Sequence, residues 1–344
     1  MSKKKILVTG GLGYIGSHTT VELIRDGYEV IIVDNLSNAN ENVLNNIEKI
    51  VGIRPEFHRF DLCDEAKVEN LFSLHTDLDA VIHFAASKAV GESVENPLLY
   101  YHNNLYPLIN IMRTLKGKKV KIVFSSSCTV YGQPEKLPVT ERSPFQKAES
   151  PYGNTKQICE EILRDACKAS KELNVISLRY FNPVGADASA LIGELPIGVP
   201  ANLVPFITQT AAGIRKELLV FGNDYNTTDG SAVRDYIHVT DLAKAHVLAL
   251  DRMESGKQKT NFEFYNIGSG NGNTVLEAIQ SFEKVSGEKL NFRIVERRSG
   301  DVEKIYADTA LAETELGWKA KFTLDDMMLS AWKWQQYLLA HPDL

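Results

Sequence analysis

The sequence predicts an α/β fold in which a doubly wound parallel sheet is followed by a smaller C-terminal α/β unit. Three observations carry that expectation: β-rich runs alternate with helical stretches through the first half, a glycine-rich turn follows the first run, and the pattern changes near residue 181. Strands are expected at 6–9, 30–33, 56–60, 80–84, 121–126 and 175–180, most of them rich in Val and Ile, as strands buried on both faces are. Helices are expected near 15–27, 41–50, 64–74, 97–116 and 151–171. Such alternation builds right-handed crossovers and therefore parallel strand pairing. One helix start is explicit: Ser150 is placed to act as N-cap, and Pro151 then falls at the first helical position, where its missing N–H costs nothing.

Beyond residue 181 the spacing is less regular. Residues 183–202 are rich in Pro, Gly and Ala and read as a long functional loop, and further short elements are expected around 218–221, 236–251 and 325–339. A chain of 344 residues has room for two domains, expected at 1–181 and 182–344 and interleaved with each other. The formal charge of −6, from 38 basic and 44 acidic residues, gives no electrostatic footprint for nucleic acid. An anionic ligand would have to be held by local basic groups. Cys63, Cys128, Cys159 and Cys167 form no CxxC pair and read as buried thiols, and the eight histidines form no HExxH arrangement, so no metal site is expected. The apolar run Ile6-Leu7-Val8 is far too short for a signal segment or a membrane span, and the C-terminal residues carry no lipidation box. The expectation is a cytoplasmic chain with no membrane partner.

Directly after the first strand comes Thr9-Gly10-Gly11-Leu12-Gly13-Tyr14-Ile15-Gly16, followed by a helical pattern. In that position Gly10 permits a tight turn, Gly13 lets the backbone approach a pyrophosphate, and Gly16 lets helix and strand pack closely. The helix N-terminus adds N–H donors and partial positive charge. This is a Rossmann-like arrangement. The second strand ends at Asp34, eighteen residues after Gly16. A carboxylate there accepts from both adenosine ribose hydroxyls and repels a 2′-phosphate, which favours NAD over NADP.

Tyr152 and Lys156 stand four residues apart on the helix expected at 151–171 and so share one face. Alone, such a pair is more often a half-buried tyrosine and a surface lysine. The preceding strand, however, ends in Ser125-Ser126-Ser127, and ligands of open parallel sheets lie at the carboxyl ends of strands. Ser127 would then hydrogen-bond the same oxygen as Tyr152. A free phenol has a pKa of about 10, and a nearby ammonium and an oxidised nicotinamide both favour its phenolate.

The glycine turn, the serine strand end and the Tyr/Lys pair together resemble the extended short-chain dehydrogenase/reductase family. Within it, Ser125-Ser126-Ser127-Cys128-Thr129-Val130-Tyr131-Gly132, Arg179-Tyr180-Phe181-Asn182-Pro183-Val184-Gly185 and Arg234-Asp235-Tyr236-Ile237-His238-Val239 are similar to the UDP-glucose 4-epimerase family, and the likeness runs from Lys4 to about Gln335. The resemblance implies that Ser127, Tyr152 and Lys156 are catalytic. It implies cofactor contacts for Gly10, Gly13, Tyr14, Ile15, Gly16, Asp34, Asn35, Leu36, Ser37, Asn38, Ala39, Asp61, Leu62, Phe84, Ala85, Ala86, Ser87, Lys88, Asn103 and Phe181, besides Ser127, Tyr152 and Lys156. For the nucleotide-sugar pocket it implies Lys88, Asn182, Asn202, Leu203, Phe221, Arg234, Arg298, Asp301 and Ile305, besides Ser127 and Tyr152. Arginine's planar donor fork suits a diphosphate, Asp301 would accept from ribose hydroxyls, and Phe221 would line a uracil slot.

The reaction so implied is a C4 inversion: the phenolate takes the hydroxyl proton while hydride passes to NAD, the 4-keto sugar turns over, and hydride returns to the other face. Ile305 aligns with a gatekeeper that is bulky and aromatic in members restricted to plain hexoses and small in those accepting N-acetylated sugars. Its intermediate size leaves the N-acetylated pair open, with UDP-glucose and UDP-galactose the expected main pair. A 4,6-dehydratase shares the fold and first hydride step, but that family carries Asp-Glu where this chain has Cys128-Thr129. A non-catalytic NAD-sensing protein would not need Ser127, Tyr152 and Lys156 together. The resemblance also implies a homodimer formed through the helices near 97–116 and 151–171.

Overall fold

The computed structural model describes residues 3–298 and 302–342. Strands β1 (Lys5–Thr9), β2 (Glu29–Asp34), β3 (Glu56–Arg59), β4 (Ala80–His83), β5 (Lys121–Ser127) and β6 (Asn174–Tyr180) alternate with helices α1 (Tyr14–Arg25), α2 (Asn42–Val51), α3 (Glu65–Leu74), α4 (Val90–Glu95), α5 (Pro97–Thr114) and α6 (Pro151–Ala169). The second half supplies β7 (Asn182–Val184), α7 (Leu203–Ala211), β8 (Leu218–Phe221), β9 (Val233–His238), α8 (Val239–Glu254), β10 (Phe262–Ile267), β11 (Gly272–Thr274), α9 (Val275–Ser286), β12 (Phe292–Val295), β13 (Lys304–Ile305), α10 (Ala310–Glu315) and α11 (Leu324–Ala340).

The main sheet has seven parallel strands in the order β10-β6-β5-β4-β1-β2-β3. Side chains alternate across it, so Ile6, Val8, Val30, Ile32 and Ile82 feed the core on one face, while Leu7, Ile31, Val33, Val81 and Ile122 feed the core on the other. Each buried side chain of this kind stabilises the fold by about 1.5–3 kcal/mol relative to leaving it in water. Strand order reverses between β1 and β4, and the crevice at such a switch point, outside the strands' carboxyl ends, is where ligands of doubly wound folds bind.

The seventh strand comes from the second half of the chain. β10 pairs parallel to β6, from Phe262 opposite Val175 to Ile267 opposite Tyr180, and α8 packs beside α1 on one face. Sequence pattern hides β10 because buried polar residues interrupt it. Glu263 is neutralised by Arg252, whose Nε donates to Oε2 at 2.6 Å, and Asn266 accepts from the Tyr131 hydroxyl at 2.6 Å. The stretch expected at 236–251 divides at His238, where β9 ends and the imidazole caps α8 by accepting from the Thr240 N–H at 3.1 Å.

The remaining strands form a small sheet in which β9 pairs with β7, β11 and β13, and a two-stranded pair, β8 with β12. A third core of Val204, Ile207, Val220, Tyr236, Phe282, Met328 and Trp332 holds this half together. Among the described residues no helix is long and apolar enough to cross a membrane. Cys128, Cys159 and Cys167 are buried, whereas Cys63 is only half-buried, on the loop after β3.

Candidate active site

Every loop leaving a carboxyl end of β1 to β6 carries residues singled out in the sequence. After β1, Gly10 sits at φ +67°, and a Cβ there would lie 2.8 Å from the Ala85 backbone nitrogen. At Gly16 an added Cβ would meet the Gly10 carbonyl oxygen at 2.2 Å, so only glycine allows α1 to start this close to the turn. Gly13 is the N-cap of α1 and has no side chain with which to cap it, which leaves first-turn N–H groups for an anion. Tyr14 and Ile15 open the helix; the Tyr14 hydroxyl donates to the Gly185 carbonyl at 2.7 Å, and Ile15 packs on the core.

Asp34 ends β2. Its two oxygens accept from the Leu12 N–H at 3.2 Å and the Leu36 N–H at 2.9 Å, each oxygen keeping acceptor capacity for a hydroxyl. Burial raises its pKa, and those backbone bonds oppose the rise. The following loop, Asn35, Leu36, Ser37, Asn38 and Ala39, is built on Asn35, which accepts from the Ser37 N–H at 3.0 Å and donates to Asp61 Oδ2 at 3.1 Å. Leu36 lies at φ +60°. Asp61 and Leu62 follow β3, with Asp61 exposed and Leu62 buried. A dinucleotide fits this set: an uncapped helix start, a glycine cradle that a Cβ would fill, and a carboxylate at the neighbouring strand end.

After β4 come Phe84, Ala85, Ala86, Ser87 and Lys88. Asn103 donates to Ser87 Oγ at 3.2 Å. Its neighbour Asn104, which sequence reasoning passed over, is the firmer anchor. Asn104 accepts from the Ser87 N–H at 2.8 Å and donates to the Ser87 carbonyl at 3.0 Å and to Thr155 Oγ1 at 2.9 Å, joining this loop to α6. Nothing local in the sequence marks it, because its partners lie on other elements.

β5 delivers Ser127 and α6 delivers Tyr152 and Lys156 to one place. Ser150 caps α6, its Oγ accepting from the Gly153 N–H at 3.2 Å, with Pro151 in the first turn as expected. The Ser127 hydroxyl lies beside the Tyr152 phenol and favours its ionised form, and the Lys156 ammonium donates to the Ser125 carbonyl at 2.7 Å while lying 5.9 Å from the Tyr152 ring centre. Burial dominates both groups: the phenol is pushed up to about 12, with the Ser127 hydroxyl opposing, and the ammonium is pulled down to about 8. Desolvation is the largest influence on the phenol, and it works against the phenolate that Lys156 and an oxidised nicotinamide are expected to favour.

Behind them lies Glu160, also unremarked in the sequence. It accepts from Ser126 Oγ at 2.6 Å, Ser177 Oγ at 3.0 Å and both Arg179 Nε at 2.9 Å and Nη2 at 2.5 Å, fastening α6 to β5 and β6 in a fully buried network.

Phe181 is buried just past β6, in one cluster with Cys128, Tyr131 and Ile305. Asn182 opens β7, and on β9 Arg234 stands directly opposite Ile305 of β13. Arg234 Nη1 donates to the Val302 carbonyl at 2.6 Å. The Arg298 guanidinium lies 5.6 Å from the Phe221 ring centre, so these two are also brought together. Asn202 occupies the N-cap position of α7 without a side-chain capping bond, and Leu203 is the first helical residue. Asn202 Nδ2 donates to Glu194 Oε1 at 2.6 Å, and Lys88 Nζ reaches the same oxygen at 2.8 Å. Glu194, inside the loop expected at 183–202, thus ties the two halves across the crevice. Asp301 lies outside the described residues. No HExxH was found in the sequence, yet the fold assembles Glu56, His58 and His75 away from this site.

A family profile described as GDP-mannose 4,6 dehydratase matches residues 7–330. The chain is 49% identical over 342 residues to a UDP-glucose 4-epimerase of Drosophila melanogaster, covering 97% of each, and 50% identical over 331 residues to one of Bacillus subtilis, covering 96% of each. The solved UDP-glucose 4-epimerase of Bifidobacterium longum, in complex with NAD+ and UDP, superposes with a TM-score of 0.93 at 46% identity, covering 99% of both chains. With identity this high over nearly the whole length, the chain belongs to the UDP-glucose 4-epimerase family of extended short-chain dehydrogenases/reductases.

Proposed function

We propose that the chain interconverts UDP-galactose and UDP-glucose as an NAD-dependent epimerase, with Tyr152 as acid and base, Ser127 as its hydrogen-bonding partner and Lys156 as the adjoining cation. The observation that carries the reading is the convergence of Ser127, Tyr152 and Lys156 beside the glycine turn and Asp34. The chemistry supplied by bound NAD is acceptance and return of the C4 hydride. Tyr152 takes the C4 hydroxyl proton and later gives it back, and Ser127 holds the sugar oxygen in line with the phenol. Burial raises the phenol, and the positive charges of Lys156 and of an oxidised nicotinamide would favour its phenolate. Asp34 engages ribose hydroxyls and disfavours a 2′-phosphate.

Residues 1–181 act as the NAD half and 182–344 as the UDP-sugar half, interleaved through α8 and β10 of the second half. Arg234, Arg298 and Asn202 serve the anionic end of the substrate, and Ile305, buried among Cys128, Tyr131 and Phe181, bounds the hexose end. Leu98, Leu99, Tyr106 and Ile109 leave apolar surface exposed on α5, which supports a homodimer, and the chain works in the cytoplasm. A 4,6-dehydratase is disfavoured by the chemistry at its proton-transfer positions: Cys128 is a thiol pushed up to about 12 by burial, and Thr129 does not ionise.

The test is incubation with UDP-galactose and with UDP-N-acetylgalactosamine separately, without added NAD, followed by product separation. UDP-glucose should form readily and the N-acetylated pair should turn over more slowly. A product lacking the C6 hydroxyl, or stoichiometric formation of NADH, overturns the reading.

A further inference from the structure

The outer edge of the main sheet carries a cluster that the epimerase chemistry does not use. Glu56 and His58 are two residues apart on edge strand β3, so their side chains leave from the same face. Helix α3, the crossover that follows, ends at Leu74, and its C-cap His75 brings a second imidazole back to the same spot. His58 Nε2 lies 2.7 Å from Glu56 Oε1, and His75 Nε2 lies 3.2 Å from the same oxygen. The two rings meet edge to face with centroids 5.5 Å apart. One donor atom from each of the three residues lies within 4.8 Å of the other two.

A second observation points the same way. His75 Nε2 is shut off from solvent and, although 3.2 Å from Glu56 Oε1, makes no well-aligned hydrogen bond, where a buried ring nitrogen ordinarily makes one. Tetrahedral zinc with bonds of roughly 2.0–2.2 Å sets neighbouring ligand atoms about 3.3 Å apart, so small side-chain rotations bring these three into range. Neutral imidazole carries one proton on either ring nitrogen, and moving it to Nδ1 frees Nε2 as a ligand.

We propose that Glu56, His58 and His75 form a binding site for a first-row divalent transition-metal ion of the zinc class. Two imidazoles and one carboxylate suit zinc, nickel or copper and do not suit magnesium or calcium, which take oxygen ligands. Glu56 is about half exposed, which leaves water access to a fourth position. The site lies at the end of β3 opposite Asp61, so the ion clips the edge strand to the end of α3 and takes no part in the hydride chemistry.

The test uses tag-free holoenzyme dialysed against chelator and titrated calorimetrically with zinc chloride, with magnesium chloride as control, alongside His58→Ala, His75→Ala and His75→Gln. Retained epimerase activity and bound NAD show that each variant is folded. The expected result is one zinc per chain in the wild type, a melting temperature raised by zinc, and affinity weakened by about tenfold or more in each variant. Zinc bound equally by wild type and variants, or no zinc bound by the wild type, overturns the proposal.

Discussion

Desolvation takes both the half-buried Tyr152 and the buried Lys156 away from their ordinary acidity, pushing the phenol up to about 12 and the ammonium down to about 8. Desolvation opposes the phenolate, and the positive charge of an oxidised nicotinamide in the complete site would favour it. Replacing Tyr152 with Phe removes the acid and base and keeps the ring. The expected loss in kcat is about 10²–10⁴-fold, with bound NAD and the UDP-sugar KM little changed. Steady-state kinetics on the purified variant checks this, and full turnover would require another base. These three residues were legible in the sequence because their chemistry depends on local features, a spacing of four on one helix and a serine run at a strand end. Asn104 and Glu194 were not legible. Asn104 works across 51 residues to Thr155 and Glu194 across 106 to Lys88, and only the fold supplies such neighbours.

Helix α6 presents the Tyr/Lys pair, and Glu160 locks that helix to the strands beneath it. Its carboxylate faces Arg179 in a pair with essentially no solvent contact, which holds the guanidinium well above its usual pKa once the opposing desolvation is outweighed. Removing one charge from such a pair leaves the other buried without compensation. Glu160→Gln should therefore destabilise the protein by roughly 3–5 kcal/mol and lower kcat more than it changes KM. Denaturant titration with parallel kinetics checks both, and an unchanged midpoint would show that the network carries little. At this scale strands β1 to β6 and helices α1, α2, α3, α5 and α6 were readable to within one or two residues, most of the strands because doubly buried strands are continuous Val/Ile runs, whereas the short α4 was not read. β10 was not readable, since Glu263 and Asn266 break the apolar pattern and find partners such as Arg252 and Tyr131 elsewhere in the chain.

Across the molecule the interior holds several imidazoles that folding keeps uncharged. Burial lowers His83 to about 3 and His18, His238 and His246 to about 4. Their folded pKa values lie below the unfolded value of about 6.5, so the unfolded chain binds more protons in between. The stability they allow is fully present above about pH 6.5 and is lost as pH falls from there towards 4, at about 1.4 kcal/mol per pH unit for each imidazole. His246 packs against Phe84 and Tyr180, with ring centres 4.7 and 5.9 Å away, and its Nε2 has no partner. His246→Gln should flatten the acid limb by one such increment, read as denaturant midpoints at pH 7.5 and 5.0; parallel pH dependence in wild type and variant would contradict the assignment. The most direct test of the whole account follows the hydrogen itself. UDP-galactose deuterated at C4 is converted by holoenzyme without added cofactor, and the product is examined by mass spectrometry. The account predicts UDP-glucose that keeps its deuterium at C4, because the hydrogen leaves and returns within one closed site. Product carrying solvent hydrogen at C4, or no product at all, would contradict it.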